Sequence, residues 1–177
     1  MPRLIKGGAL VDDPYVLARD ATSLADLPRG VPVLVPLTLW RAEHATLAAR
    51  QGVGVWLAPA DDPADLAGDV ASLPVIAVDF PSFTDGRGYS TARLLRERYG
   101  YTGELRAIGD VQRDQFYCLH QSGFDAFALR DDKDVADALA GLRDFSDGYQ
   151  RTQQRAPWFR RRDLRRRDRV HTAPRDA

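Results

Sequence analysis

The chain has 177 residues, of which 44% are hydrophobic and 28% charged, proportions typical of a globular protein rather than a disordered one. Its apolar runs are shorter than the ~20 residues needed to span a bilayer, and its first residues lack the apolar core of a signal peptide. We therefore expect a cytoplasmic protein without membrane association. The single cysteine, Cys118, excludes an internal disulfide and an iron–sulfur cluster or cysteine-ligated zinc site built within this chain. No metal site is predicted, because the three histidines are far apart in the sequence: His44, His120 and His171.

The neutral net charge is unevenly distributed along the chain. Residues 151–177 contain ten Arg and three Asp, a net charge of +7, which leaves −7 for residues 1–150. We predict a single α/β domain over residues 1–150, followed by an Arg-rich tail over residues 151–177. The tail is either disordered or docks on an acidic partner or on a second copy of the chain. Nucleic acid is disfavoured as a partner, since the body is acidic and carries no recognised binding motif. The oligomeric state is left open, with a homo-oligomer as one alternative.

The predicted elements begin with a β-hairpin over residues 3–12, in which Gly7-Gly8 suits a tight turn. Five short apolar segments are then predicted as strands: Val31–Val35, Val53–Leu57, Val75–Phe80, Leu105–Ile108 and Phe124–Leu129. Helical segments separate these strands, with N-caps predicted at Thr38, Ser90 and Asp110. A last helix is predicted after Asp131 or Asp132, because apolar residues follow at helical spacing: Val135, Ala138, Leu139, Leu142 and Phe145.

This alternation of strands and helices predicts an α/β fold with a mainly parallel sheet of about five strands and a short N-terminal hairpin. The strands are apolar throughout, as expected when both faces of the sheet are covered. An open sheet and a partial (β/α) barrel both agree with the pattern. Short polar junctions between strand and helix slightly favour the partial barrel.

The loop over residues 80–90 is the densest group of functional residue types at a predicted carboxyl end of a strand, where ligands bind in such folds. Gly86 and Gly88 permit close backbone approach, and Arg87 presents a planar fork to a carboxylate or oxyanion. Ser90 at a helix start would leave amide donors near an anion. In the alternative interpretation, the loop is a turn with a helix cap, and Asp85 and Arg87 pair with each other or merely face solvent. The glycines match neither nucleotide-binding pattern, so no nucleotide site is predicted.

Further arginines lie in or after neighbouring strands, and together they would suit a small dianion: Arg87, Arg106, Arg113 and Arg130. The alternative is a set of salt bridges to nearby carboxylates, since buried charges usually pair: Asp79, Asp85, Asp110 and Asp114. Asp79 follows an apolar strand and should be buried. Asp79, Asp85 and Asp110 are the candidate catalytic carboxylates, although no catalytic residue is assigned. Cys118 is expected to be a small buried hydrophobe.

Several segments together resemble domain-of-unknown-function family 934. The loop contributes the signature residues Phe83, Asp85, Gly86, Arg87, Tyr89 and Ser90. Further matching segments follow along the chain: Ala92–Gly100, Gly103–Asp110, Arg113-Asp-Gln115, Gly123–Phe127, Phe145–Asp147 and Tyr149. The resemblance covers roughly residues 30–150. Members of the family are labelled as oxidoreductases of sulfite reduction, with no established catalytic residues.

The resemblance implies a role in assimilatory sulfate or sulfite reduction, with sulfite reductase or another sulfur-assimilation protein as a partner. Sulfite reduction is a multi-electron reaction that needs centres such as sirohaem and an iron–sulfur cluster. No cluster or nucleotide motif is visible, the cofactor is undetermined, and one cysteine cannot hold a cluster. We therefore expect an accessory protein that assists the reductase, its electron supply or the delivery of an intermediate, with an oxyanion-binding loop as its working surface. A small-molecule oxidoreductase with an unusual α/β site and a non-catalytic interaction module are the alternatives.

Overall fold

A computed structural model describes residues 3–129, which form an eight-stranded sheet and a set of short helices. The strands are β1 Arg3–Lys6, β2 Ala9–Asp12, β3 Val16–Leu17, β4 Val33–Pro36, β5 Val53–Leu57, β6 Val75–Phe80, β7 Glu104–Gly109 and β8 Ala126–Leu129. The α-helices are α1 Leu37–Ala42, α2 His44–Ala48, α3 Arg87–Arg93 and α4 Phe116–Gln121, and α3 continues into the π-helical turn Leu94–Arg98. Three 3-10 turns complete the secondary structure: Leu24–Asp26, Pro63–Leu66 and Arg113–Gln115. None of the helices within residues 3–129 is long and apolar enough to cross a membrane.

The strand order in the sheet is β2-β1-β8-β7-β6-β5-β4-β3. Strands β3 to β8 lie side by side in chain order and pair in parallel. Strand β1 is antiparallel to both β8 and β2. The predicted mainly parallel α/β fold and the hairpin are confirmed. The expected number of about five strands is wrong, because the hairpin joins the sheet at β8 and the short β3 extends its other end.

The sheet is strongly curled, as its connections require. Strands β2 and β3 occupy opposite edges, yet only Asp13, Pro14 and Tyr15 connect them. A flat sheet would separate these edges by about 34 Å at the usual interstrand spacing. The connecting chain can span at most about 14 Å even when fully extended. The sheet therefore curls into a half-barrel, which decides between the open sheet and the partial barrel in favour of the latter.

The two faces of the half-barrel are buried differently. Alternate strand residues, such as Val55, Val78 and Phe127, join the helices in the large hydrophobic core on the outer face. The intervening residues point to the inner face, where Leu34, Ala77 and Ile108 belong to a separate, smaller cluster. All six residues of β6 are buried, as expected for a strand that is covered on both faces.

The predicted helix starts differ from those of the structure. Helix α1 begins at Leu37 after Pro36, whose φ of −65° already suits a helix start, so Thr38 lies inside the first turn. Helix α3 begins at Arg87 with Gly86 in the N-cap position, so Ser90 is an exposed residue within the helix. The helical segment after β7 begins at Arg113, and Asp110 therefore precedes its cap. The predicted helix over residues 131–145 and the Arg-rich tail lie outside the described residues.

Candidate functional site

The inner face of the half-barrel carries a buried cluster of charges around Arg106, which we call the Arg106 cluster (Asp13, Tyr15, Glu104 and Arg106). Arg106 is only 1% exposed. Its Nη1 donates to Asp13 Oδ2 at 2.7 Å, while its Nε and Nη2 donate to Glu104 Oε1 at 2.9 and 2.7 Å. The Tyr15 ring lies over the guanidinium, 5.3 Å from its centroid to Cζ of Arg106. This arrangement satisfies three guanidinium N–H groups and matches the cation with two carboxylates.

Local geometry explains how these residues meet. Glu104 and Arg106 are two positions apart in β7, so both side chains point to the same face. The segment between β2 and β3 crosses this face, and Asp13 Oδ1 accepts a hydrogen bond from the Tyr15 backbone N–H at 2.9 Å. Lys6 reaches Glu104 Oε2 from β1 at 2.7 Å. The N-terminal hairpin and the parallel strands are thus joined electrostatically as well as by backbone pairing.

The electrostatics of the Arg106 cluster favour ionised Glu104 and neutral Tyr15. Burial opposes the charge on Glu104, but the hydrogen bond from Lys6 and the charge and hydrogen bonds of Arg106 outweigh it, so the pKa of Glu104 is lowered. Burial raises the pKa of the Tyr15 hydroxyl, and the nearby Glu104 charge adds to the effect. The cluster is therefore an ion-paired unit at neutral pH.

A second ion pair lies at the carboxyl end of β6. Asp79 is 6% exposed, which confirms its predicted burial. It accepts two hydrogen bonds from Arg19, at 2.6 Å from Nη2 to Oδ1 and 3.1 Å from Nη1 to Oδ2. The Arg19 guanidinium also lies 5.6 Å from the Trp56 ring centroid. The buried Nε1 of Trp56 has no hydrogen-bond partner within residues 3–129.

These groups border a cavity of about 840 Å³ on the inner face, which we call the inner cavity. Its charged and polar lining includes Asp13, Tyr15, Arg19 and Arg106. The rest of the lining is mostly apolar: Val16, Leu17, Val31, Leu34, Ile108 and Ala128. The cavity adjoins the carboxyl ends of β7 and β8, where ligands bind in folds of parallel strands and helices. Its volume is also within the ~300–1,000 Å³ range of small-molecule sites.

Gly109 ends β7 at the edge of the inner cavity. Its φ is +95°, a conformation that residues with a side chain rarely adopt. A Cβ at this position would overlap the Phe80 carbonyl oxygen and lie 2.7 Å from Asp79 Oδ1. The same turn lets the Asp110 N–H donate to the Phe80 carbonyl at 2.7 Å. Glycine at position 109 is therefore a requirement for the close approach of the β6 and β7 ends.

The loop over residues 80–90 has a different character. Asp85 and Arg87 pair with each other, at 2.6 Å from Nη2 to Oδ2 and 3.0 Å from Nε to Oδ1. The hydrogen bonds from the Arg87 side chain and backbone N–H lower the pKa of Asp85. Gly88 is buried because it packs directly on the Phe80 ring. In the structure the fork of Arg87 therefore holds a carboxylate of its own loop, as in the second of the two interpretations drawn from the sequence.

The loop also meets the segment that follows β7. The Gln115 side-chain amide donates to the Phe83 carbonyl at 2.8 Å, while the Phe83 ring is 54% exposed. Tyr89 packs edge-on against Phe80, with ring centroids 5.6 Å apart. Burial, with the nearby Cys118 thiol and Asp114 contributing, raises the pKa of Tyr89 to about 12. The loop over residues 80–90 and the segment after β7 are thus in contact.

Four arginines were proposed as a dianion site, and those that the structure describes lie in different surroundings. Arg87 is paired in its loop, and Arg106 is buried on the inner face with Asp13 and Glu104. Arg113 begins a 3-10 turn, but its side chain lies outside the described part of the structure, as does all of Arg130. The salt bridge between Arg87 and Asp85 is one of those considered from the sequence, whereas Asp79 pairs with Arg19.

The expected burial of Cys118 is wrong. Its thiol is exposed, because α4 turns Phe116 and Leu119 toward the core and leaves the intervening face to solvent. Within residues 3–129, no group of three His, Cys, Asp or Glu side chains could hold a metal ion.

The residues that the sequence analysis missed come mainly from the N-terminal segment. Asp13, Tyr15 and Arg19 lie in a stretch that appears in sequence as a polar, proline-containing connection. Two signals were nevertheless present: Glu104 and Arg106 share one face of β7, and Asp79 ends an apolar strand. Charges on the covered face of a strand require partners, and the topology assigns that role to the N-terminal segment.

Comparison with known proteins assigns the chain to a family. No curated protein matches the chain. Residues 54–159, more than half of the chain, match the family model described as bacterial protein of unknown function (DUF934). The matched range includes the loop over residues 80–90, strands β6 to β8, Asp79 and the Glu104–Arg106 pair, whereas Asp13, Tyr15 and Arg19 precede it. The chain is therefore a member of the DUF934 family.

Proposed function

We propose that this protein is an accessory component of assimilatory sulfate or sulfite reduction, which assists sulfite reductase or its supply of electrons or intermediates. The metabolic setting comes from the label that the family resemblance carries. The observation that supports a binding role is the inner cavity, a preformed site beside the ion-paired Arg106 cluster. An accessory role also agrees with the single cysteine, since this chain alone does not supply the thiolates of a cluster.

Deletion of the gene tests this proposal directly, in a strain with no second copy. We expect slow growth when sulfate or sulfite is the only sulfur source, and normal growth on sulfide or cysteine, because those two enter after sulfite reduction. Complementation with the wild-type gene should restore growth. Equal growth of mutant and parent on all four sources would overturn the proposal.

A small-molecule enzyme is the second candidate, favoured by the position of Asp79. This carboxylate is buried at the carboxyl end of β6, where the fold places reactive groups, and Arg19 holds it in one orientation. The purified protein should then bind a flavin, a nicotinamide, sulfite or sulfate, and Asp79→Asn or Arg87→Ala should weaken that binding. Thermal unfolding that is unchanged by all four ligands would contradict the enzyme hypothesis while leaving the growth phenotype to be judged separately.

A further inference from the structure

We infer that the inner cavity is a binding site for an uncharged, largely apolar small molecule. This inference goes beyond the sulfur-assimilation proposal and does not depend on it, since it rests on the lining of the cavity alone. It also differs from the expectation that Arg106 would bind an oxyanion.

Of the four charged residues that line the cavity, Asp13, Arg19 and Arg106 are ion-paired, and Asp12 is exposed to solvent. Arg106 is held by Asp13 and Glu104, whose side chains are 7% and 10% exposed. Arg19 makes two hydrogen bonds to Asp79. An oxyanion that replaced Asp79 on Arg19, or one of the carboxylates on Arg106, would leave that carboxylate without its partner at a large desolvation cost. Two carboxylates line the cavity within residues 3–129: Asp13 is paired with Arg106, and Asp12 is exposed to solvent, so a cationic ligand meets no buried unpaired carboxylate.

The apolar lining provides the binding energy for an uncharged molecule. Leu34 and Ile108 are 1% and 3% exposed and form its floor, together with Ala128 on β8. Val16 and Val31 are 45% and 41% exposed and also line it. Most of the accessible apolar area therefore belongs to Val16 and Val31, and a ligand that covers these two side chains removes that area from water. Small-molecule sites commonly combine an apolar lining of this kind with a few fixed polar groups.

The fixed polar groups supply orientation rather than charge. The Tyr15 hydroxyl is protonated at neutral pH, as a phenol ordinarily is, and burial raises its pKa further. It is therefore a neutral donor and acceptor beside the cavity. Its ring is held in place by Arg106 on the inner face. A ligand with an apolar body and one hydroxyl, amide or carbonyl group would match this lining.

Amide chemical shifts of the isotope-labelled full-length protein test the site. The protein is titrated with indole and cyclohexanol as uncharged aromatic and aliphatic probes. Sodium sulfite and sodium sulfate serve as anionic probes at equal ionic strength. We expect at least one uncharged probe to shift the amides of Tyr15, Ile108 and Ala128 in a saturable manner. The anions should cause smaller shifts at these amides. Stronger shifts with sulfite or sulfate would overturn the inference, and so would an absence of saturable shifts with both uncharged probes.

Two cavity-filling variants locate the binding. Ala128→Phe places a ring in the cavity from β8. Val31→Phe places one there from a residue that is 41% exposed. Because an exposed position tolerates a larger side chain, the second variant keeps the test open if the first fails to fold. Each folded variant should raise the dissociation constant of the probe by at least ~10-fold, equivalent to ~1.4 kcal/mol. Ala71→Phe, on an exposed turn away from the cavity, is the matched control and should leave the affinity unchanged. Equal affinity in the cavity variants and the control would contradict the assignment. A wild-type dimer that Val31→Phe converts to a monomer would identify the face as a protein interface and overturn the small-molecule proposal.

Discussion

Replacement of Arg106 by methionine should destabilise the protein strongly. The substitution keeps an unbranched side chain in the same space but removes the cation that pairs with Asp13 and Glu104. Arg106 is 1% exposed on its side chain, and these carboxylates are 7% and 10% exposed. Removing one partner from a buried ion pair costs about 3–5 kcal/mol, because the remaining charge loses its compensation. We therefore expect a loss of about 3–5 kcal/mol in the free energy of unfolding, measured by urea denaturation at pH 7.

Two comparisons isolate the cause of that loss. Lys6→Met removes the half-exposed cation that also contacts Glu104 and should cost no more than about 1 kcal/mol, as for other exposed pairs. The triple variant Asp13→Leu, Glu104→Met, Arg106→Met removes the buried charges together and should regain most of the stability, because no buried charge is left unpaired. A loss below about 1 kcal/mol in Arg106→Met, or a triple variant less stable than the single one, would refute the reasoning.

The remaining predictions concern pH, backbone strain and exposure. Because the pKa of Glu104 is lowered in the folded protein, its stabilising contribution is present above the ordinary glutamate pKa of about 4.3 and is lost as the pH falls through the folded pKa. Stability between pH 5 and pH 3 should therefore fall less steeply in Glu104→Gln than in wild type, and identical slopes would contradict this. Gly109→Ala should cost more than ~2 kcal/mol in urea denaturation, because φ is +95° and a Cβ would overlap the Phe80 carbonyl. Its control Gly86→Ala, with φ of −84° and open space around the site, should be neutral or stabilising by up to ~1 kcal/mol, and equal losses would exclude strain as the cause. The exposed Cys118 should react with a thiol reagent in the native protein at nearly the rate of the unfolded chain, whereas protection until unfolding would show that it is buried.

The sequence predicted the parallel strands because their signal is local. Val53–Leu57 and Val75–Phe80 are continuous apolar segments between polar turns, and both match the observed strands residue for residue. The number of strands was underestimated because β3 has only two residues, Val16–Leu17, too few for any periodicity. Pairing of β1 with β8 joins the two ends of the described chain, and no local pattern encodes it.

The candidate site was predicted less well than the fold. Asp79 and Arg106 were identified from their strands, but their partners Arg19 and Asp13 come from the N-terminal segment, which the curl of the sheet brings across the inner face. Sequence distance hid these pairs, since a carboxylate and a cation more than 50 positions apart show no spacing rule. The helix start predicted at Ser90 is wrong for a different reason. Gly86 and Arg87 already fit a helix start, so α3 begins one turn earlier.

Pairing of β1 with β8 has a consequence for synthesis of the protein. The hairpin of β1 and β2 leaves the ribosome before the other strands of the sheet, but its partner strand β8 is completed only after more than 100 further residues have been translated. Until then one edge of β1 is unpaired, and Leu4 and Ile5, which are 2% and 0% exposed in the folded protein, are not yet buried in the domain. Strands β3 to β8 can meanwhile pair one after another in the order of translation. The nascent chain therefore passes through a stage with an apolar N-terminal ribbon and an open β8 edge, the combination that holdase chaperones protect from aggregation.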